Sequence, residues 1–226
     1  MSGVSLLVII AILMQSSNAY CSVPVPDFSS IASSIKPKLW KRMLEDKEVI
    51  VNAKLEELPE KPSKKYSFYA GMLVGASLAQ SRKVLMDYKL YANMIPYIDK
   101  AEYSLEDKNL KLEGGIWKFK LRSQVEFTEK SDRWIHYKIV GGHFLGLTGD
   151  IYFEPRPEKG TLVYFQGEQT ASFWPPKFVI ERGAEIVFEF TAKRMRSYIE
   201  SQKKMDKGIK ANEQRRQEIP QPHSHL

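Results

Sequence analysis

With a single cysteine, Cys21, the chain can form no intrachain disulfide, so packing alone must hold the fold whatever the redox state of its compartment. The four histidines, at 136, 143, 223 and 225, show no metal-ligand spacing with acids or with the cysteine, and neither a metal site nor a cofactor is expected. A serine elbow, a Walker loop, paired zinc-binding histidines and a Cys-His arrangement are all missing, which removes the usual templates for nucleophilic, phosphoryl-transfer and zinc chemistry. The glycines at 141, 142, 146 and 149 surround His143 and Phe144 as turn residues, without the spacing of a dinucleotide fingerprint. Long hydrophobic runs are absent too. The longest, Val4 to Met14, falls short of the roughly 20 residues that span a bilayer.

That short apolar run reads as the core of a secretory signal over residues 1–19, with Ser17-Asn18-Ala19 supplying the small residues that favour cleavage before Tyr20. The expectation is an exported protein, periplasmic or secreted, with retention as an N-terminal membrane anchor as the alternative. Residues 20–47 then form a Pro- and Ser-rich leader with a short helix around Pro37 to Asp46, whose Leu39, Trp40, Met43 and Leu44 make one apolar side.

From residue 48 onward the dominant signal is a period of two. Trp117, Phe119, Leu121, Val125 and Phe127 share one face, while Lys118, Lys120, Arg122, Gln124 and Glu126 take the other, the pattern of a half-buried strand with one side to water. The same odd parity returns in Ile135, Tyr137 and Ile139, in Ile151 and Phe153, and in Val163 and Phe165, with turn residues between the runs. Upstream, 48–55 and 66–74 read as a hairpin, with Phe68, Ala70, Met72 and Val74 on its buried face. Two short helices broken near Asp87 follow, then strands at 100–105 and 109–127. Leu110 and Leu112 are even-numbered, so the parity switches near Gly114-Gly115, where a bulge is predicted to bend the strand.

Behind the strands, Ile180, Ala184, Val187, Phe188, Met195, Tyr198 and Ile199 fall at helical spacing on one face of a long amphipathic helix. The fold class is therefore α+β: a curved antiparallel sheet wrapped around a long C-terminal helix, with two short helices after the first core strand. Much of the formal charge of +7 is C-terminal, since Lys193 to Arg216 carries nine basic residues against three acidic ones. The run has no interleaved aromatics for base stacking, so nucleic acid is not an expected partner. An anionic membrane surface is the partner such a segment suits. Residues 205–226 read as a basic disordered tail beyond a domain spanning 48–204.

Asp87, Glu126, Asp150 and Glu154 are the carboxylates placed for acid or base work, but they read as capping or solvated groups, and His136 lies on the even, outward parity of its strand. A long bent sheet closed by one helix encloses apolar space, which is a default ligand site. By parity and helix face, the residues expected to line it are Met72, Tyr91, Phe119, Leu121, Tyr137, Phe165, Trp174, Phe188 and Met195.

Several local sequences, spread over residues 66 to 204, carry a resemblance: Val74-Gly75-Ala76 at a strand end, Asp87-Tyr88 with Tyr91, and Ile95-Pro96. Further on are Gly142, Phe144, Gly146, the Gly149 to Pro155 run, Gly160-Thr161 and Pro175-Pro176 before the helix. Together they resemble the START-like, or helix-grip (SRPBCC), superfamily and, within it, the polyketide cyclase/dehydrase and coenzyme Q-binding branch. Ser77 departs from a common proline, and Ser81 and Arg82 from apolar positions in the first helix. The resemblance implies binding of lipids, isoprenoids or quinones, and no catalytic set carries over. The reading is thus non-catalytic binding or transfer of a hydrophobic small molecule or lipid between sheet and helix. A cyclase- or dehydratase-like enzyme acting in the same cavity is the alternative.

Overall fold

The computed structural model describes residues 28, 31, 33, 35–59, 62–95, 97–116, 119–172, 174 and 176–218, with the side chains of 116, 119, 179, 207 and 210–218 excepted. The expected signal, Cys21, Pro96, Trp117, Pro175, His223 and His225 lie outside these residues. Eight strands form one antiparallel sheet in the order β1-β2-β8-β7-β6-β5-β4-β3. They are β1 (Ile50–Glu57), β2 (Lys64–Val74), β3 (Ile98–Ser104), β4 (Asn109–Ile116), β5 (Phe119–Ser131), β6 (Trp134–Gly142), β7 (Thr148–Arg156) and β8 (Gly160–Ala171). Apart from β2 and β8, which bring distant parts of the chain together, neighbours in the sheet are neighbours in sequence, so short turns build most of it.

The C-terminal helix (Lys177–Glu218) lies across the concave face, its backbone close to β1 and β2 rather than to β4 through β7. Its apolar stripe meets Phe68, Met72, Val163 and the other inward residues in the larger of two cores. Helical backbone runs on to Glu218, past residue 205, from which the sequence suggests a disordered tail. Two short helices (Leu78–Met86 and Tyr91–Met94), joined by a 3₁₀ turn, cap one end. The three departures noted above each have a local reason there. Ser77 is the N-cap, its hydroxyl accepting from Gln80 N at 3.3 Å, Ser81 is fully buried, and Arg82 pairs with Glu129 of β5.

One expectation is corrected. Residues 109–127 are two strands, not one bent strand: Ile116 pairs with Phe119 across a two-residue connection, which puts even residues of β4 on the face of odd residues of β5. The parity switch comes from that hairpin: the β4–β5 pairing runs through Gly114-Gly115 without a shift, and the register irregularity at Gly114 lies on its other side, between Ile98 and Lys100 of β3. Gly114 is required for another reason, because a Cβ there would collide with the Tyr97 carbonyl. The convex face is uneven. It meets water along β5, where Arg122, Gln124 and Glu126 are exposed, but not along β2, β7 and β8. There Leu73, Tyr152, Leu162 and Tyr164 are buried, three of them in a second core with Met43 of the leader helix (Pro37–Glu45).

Met43, fully buried, sits over Gly71, where a Cβ would come within 2.7 Å of its sulfur. Met43→Ala is expected to cost about 2–5 kcal/mol in urea unfolding. Gly71→Val is expected to lift the leader helix from the sheet, read as new protease cleavage between residues 36 and 48. Unchanged cleavage would show that the helix is held by other contacts.

Candidate functional site

The concave face is built by register. Leu55, Tyr66 and Trp174 stand at one end of it, then Phe68 and Gly167, then Ala70 and Phe165, with Tyr137 reaching across from β6. Rings follow one another across it: Trp174 to Tyr66 at 5.1 Å, Tyr66 to Phe68 at 5.5 Å, Phe68 to Phe165 at 5.4 Å, and Phe165 to Tyr137 at 5.0 Å, stacked. The series continues from Tyr137 to Phe127 at 6.5 Å and from Phe127 to Tyr88 at 4.8 Å. Phe188 from the C-terminal helix stacks on Phe68 at 4.5 Å. Such offset and tilted contacts each add roughly 0.5–1.5 kcal/mol beyond burial. Two glycines make the layer flat: a Cβ on Gly149 or Gly167 would strike the Tyr137 ring, and one on Gly167 would also strike Phe68.

Two of the buried phenols are committed to the backbone, and Tyr88 Oη lies 3.7 Å from Met86 Sδ. Tyr137 Oη donates to Gln166 O at 2.8 Å, and Tyr91 Oη donates to Leu85 O at 2.7 Å. Burial pushes both phenols above the ordinary tyrosine range, and does the same for Tyr66 and Tyr88. Among the described residues the fully buried polar side chains are Ser81 and Thr161, and Thr161 Oγ1 donates to Ala76 O at 2.9 Å. Ser81 Oγ has no hydrogen-bond partner, and neither has the buried Oγ1 of Thr191, which lies between Phe188 and Met195 on the C-terminal helix. No cluster that could hold a metal ion occurs among the described residues.

Of the nine residues expected to line the cavity, Met72, Tyr91 and Tyr137 are buried in the concave core, and Phe165, Trp174, Phe188 and Met195 pack against it half-buried. Leu121 faces the same way, opposite Gly114, but stands outside that cluster, and the Phe119 side chain is not among those described. Sequence reasoning missed Tyr66, Phe127 and Thr191. Tyr66 and Phe127 had the right parity all along, but parity alone does not say which inward residues meet. Packing also loosens across the sheet: Leu112, Phe127, Ile139 and Ile151 point inward from β4 through β7 yet remain half-buried, on the side the helix backbone leaves uncovered.

No family model matches the chain, and no curated protein matches it. Solved structures do. A START superfamily protein from Mycobacterium smegmatis aligns with TM-score 0.52 and 16% identity, over 60% of this chain and 97% of that one. A Staphylococcus aureus protein of unknown function aligns with TM-score 0.51 and 11% identity, over 63% and 98%. The di-domain ARO/CYC protein StfQ from the steffimycin biosynthetic pathway aligns with TM-score 0.50 and 13% identity, over 61% of this chain and 51% of that one. At such identities the likeness is one of fold, and the protein has the START-like, helix-grip fold.

The buried phenols fix a pH dependence. An unfolded tyrosine ionises near pH 10, whereas Tyr66, Tyr88, Tyr91 and Tyr137 in the fold ionise higher. Above pH 10 the unfolded chain therefore loses protons the folded chain keeps, and stability falls as pH rises. Urea midpoints at pH 9, 10 and 11 should be flat and then decline, and the double variant Tyr91→Phe, Tyr137→Phe should decline less steeply. A midpoint independent of pH up to 11 would contradict the burial of these groups.

Proposed function

We infer that the protein binds and carries a hydrophobic small molecule or lipid, of the isoprenoid, quinone or fatty acyl kind, between the concave face and the C-terminal helix, without covalent chemistry. One observation carries this reading: beside the buried Leu110, Val125, Ile135 and Phe153, the inward Leu112, Phe127, Ile139 and Ile151 of β4 through β7 stay half-buried, on the side away from the helix backbone, which lies near β1 and β2. Covering about 400 Å² of that surface with ligand is worth on the order of 10 kcal/mol gross, and ordering and association reduce the net to an ordinary carrier affinity. Thr191 Oγ1 supplies a hydrogen-bond partner for one polar atom of the ligand. The phenols of Tyr91 and Tyr137, spent on backbone carbonyls and held protonated by burial, support binding over proton transfer.

The same reading places the protein outside the cytoplasm, exported through the apolar N-terminal run and working beside an anionic membrane. Beyond the sheet, the C-terminal helix exposes Met205 (57%) and Ile209 (56%) among Lys203, Lys204, Lys207 and Lys210, a basic amphipathic segment suited to a headgroup layer. No helix among the described residues is long and apolar enough to cross a membrane.

Native mass spectrometry of protein purified from its own host is expected to show a stoichiometric lipid or quinone, and an apo mass that gains nothing from lipid extract would sink the carrier reading. Thr191→Val, which keeps the shape, should weaken that ligand by roughly 2- to 10-fold, the worth of one hydrogen bond. For the membrane, truncation after Gln202 should lower binding to phosphatidylglycerol vesicles at low salt and leave little difference at high salt. Equal binding by both chains at low salt removes the membrane partner.

A further inference from the structure

The convex face has its own hollow, on the side of the sheet away from the concave ligand site, with a volume of about 490 Å³. That lies within the range of small-molecule sites, roughly 300–1,000 Å³. Register explains how it forms. One cross-strand row runs Asn52, Tyr69, Gln166, Asp150, and the next runs Lys54, Ser67, Glu168, Thr148. In the second row long and short side chains alternate, so Ser67 leaves a gap between Lys54 and Glu168 and Thr148 leaves another beyond Glu168. On the far side the row above is already covered by the leader helix, through the core that contains Ile50, Tyr152 and Tyr164. The hollow is what remains where the leader helix stops.

Its chemistry is specific in kind. The charged rim is neutralised locally, Lys54 by Glu56 and Glu168 by Lys65 at 2.6 Å. Asp150 is oriented by its neighbours: Trp134 Nε1 donates to its Oδ1 at 2.8 Å, and His136 Nδ1 lies 3.0 Å from the same oxygen. Burial, together with the nearby Asp150 carboxylate, holds the Tyr152 phenol up at about 12. Among the described residues, no hydrogen bond to another side chain or to the backbone engages the side chains of Asn52, Ser67 or Thr148. One wall is aromatic, with Tyr69 and Tyr164 stacked at 5.8 Å.

An amide, two hydroxyls, an oriented carboxylate and a ring pair converge on one concavity without a net positive charge. That set does not suit phosphate or another anion, and its polarity does not suit an acyl chain. It suits a neutral polyhydroxylated ligand, whose hydroxyls donate to Asp150 and exchange hydrogen bonds with Asn52, Ser67 and Thr148, while an apolar ring face lies on tyrosine. We propose that this convex hollow is a carbohydrate-binding site, separate from the hydrophobic-ligand site across the sheet.

The test is titration of the full chain, followed by amide chemical shifts, with maltohexaose, cellohexaose and chitohexaose as neutral probes and polygalacturonate as the anionic one. One neutral oligosaccharide is expected to bind, with shifts centred on Asn52, Ser67, Thr148 and Gln166. Ser67→Trp, which fills the hollow, should abolish the binding. Asn52→Ala, an exposed edge-strand change that spares the fold, should weaken it by about 2- to 10-fold. Absence of binding by every neutral probe at 10 mM, roughly the weakest affinity a built site would show, overturns the proposal. So do shifts elsewhere on the protein, binding of polygalacturonate alone, and full binding by both variants.

Discussion

The carboxylates of Glu181 and Glu200 each accept a backbone N–H, from Leu55 in β1 and from Gly75 just past β2, both at 2.8 Å, and the arrangement of the molecule depends on this pair of anchors. The lengths match. Nineteen residues of helix rise about 28 Å, and the strand distance from Tyr66, the partner of Leu55, to Gly75 is about 30 Å. The helix therefore lies along the β1-β2 hairpin rather than across the middle of the sheet. Since β1 is an edge strand, Glu181 also satisfies a donor that would otherwise invite another strand. Lys203 and Arg196 add bonds to the carbonyls of Gly75 and Lys47 at the far end. A helix held to one side leaves the strands on the other side to close the interior with side chains alone, and the half-buried Leu112, Ile139 and Ile151 show that they close it incompletely.

Most of this fold was legible because a half-buried strand writes its burial into alternate residues. Phe68, Ala70, Met72 and Val74 were placed on one face by parity alone, and all four are buried. Parity fails where two local structures give the same signal. A bulge and a two-residue hairpin both exchange odd for even, and Gly114-Gly115 pointed to the bulge, although Gly114 answers to the Tyr97 carbonyl, a contact made only in the folded chain. It fails again where both faces are covered. Thr161, Leu162, Val163 and Tyr164 are buried in succession, and nothing within β8 says that its even residues meet a helix from the leader.

The candidate sites were legible in part for the same reason. Inward parity located the aromatic positions, but the flat layer they make rests on Gly149 and Gly167, two residues that carry no hydrophobic signal at all. On the convex face, His136 and Asp150 were read separately as outward polar groups. They become one bonded unit only because β6 and β7 pair with His136 opposite Asp150. Register is a long-range property, and single-chain periodicity does not encode it.

The C-terminal helix carries the last consequence. From the Glu200 anchor to Glu218 its axis extends about 27 Å, nearly as far as the anchored part, and beyond Lys203 the one tertiary hydrogen bond among the described residues is from Gln80 Nε2 to Asp206 Oδ2 at 3.3 Å. The ion pairs within the helix, Lys177–Glu181, Arg182–Glu185 and Lys193–Glu189, all lie before the Glu200 anchor. An isolated helix of that length in water is marginal on propensity alone, and Gly208 weakens this one further. What the projection does have is a basic surface with Met205 and Ile209 exposed along it. A membrane surface would supply both missing terms, charge neutralisation for the lysines and burial for the two apolar side chains. In the proposed function, the anchors set the concave face at a fixed distance from the membrane surface that this segment meets.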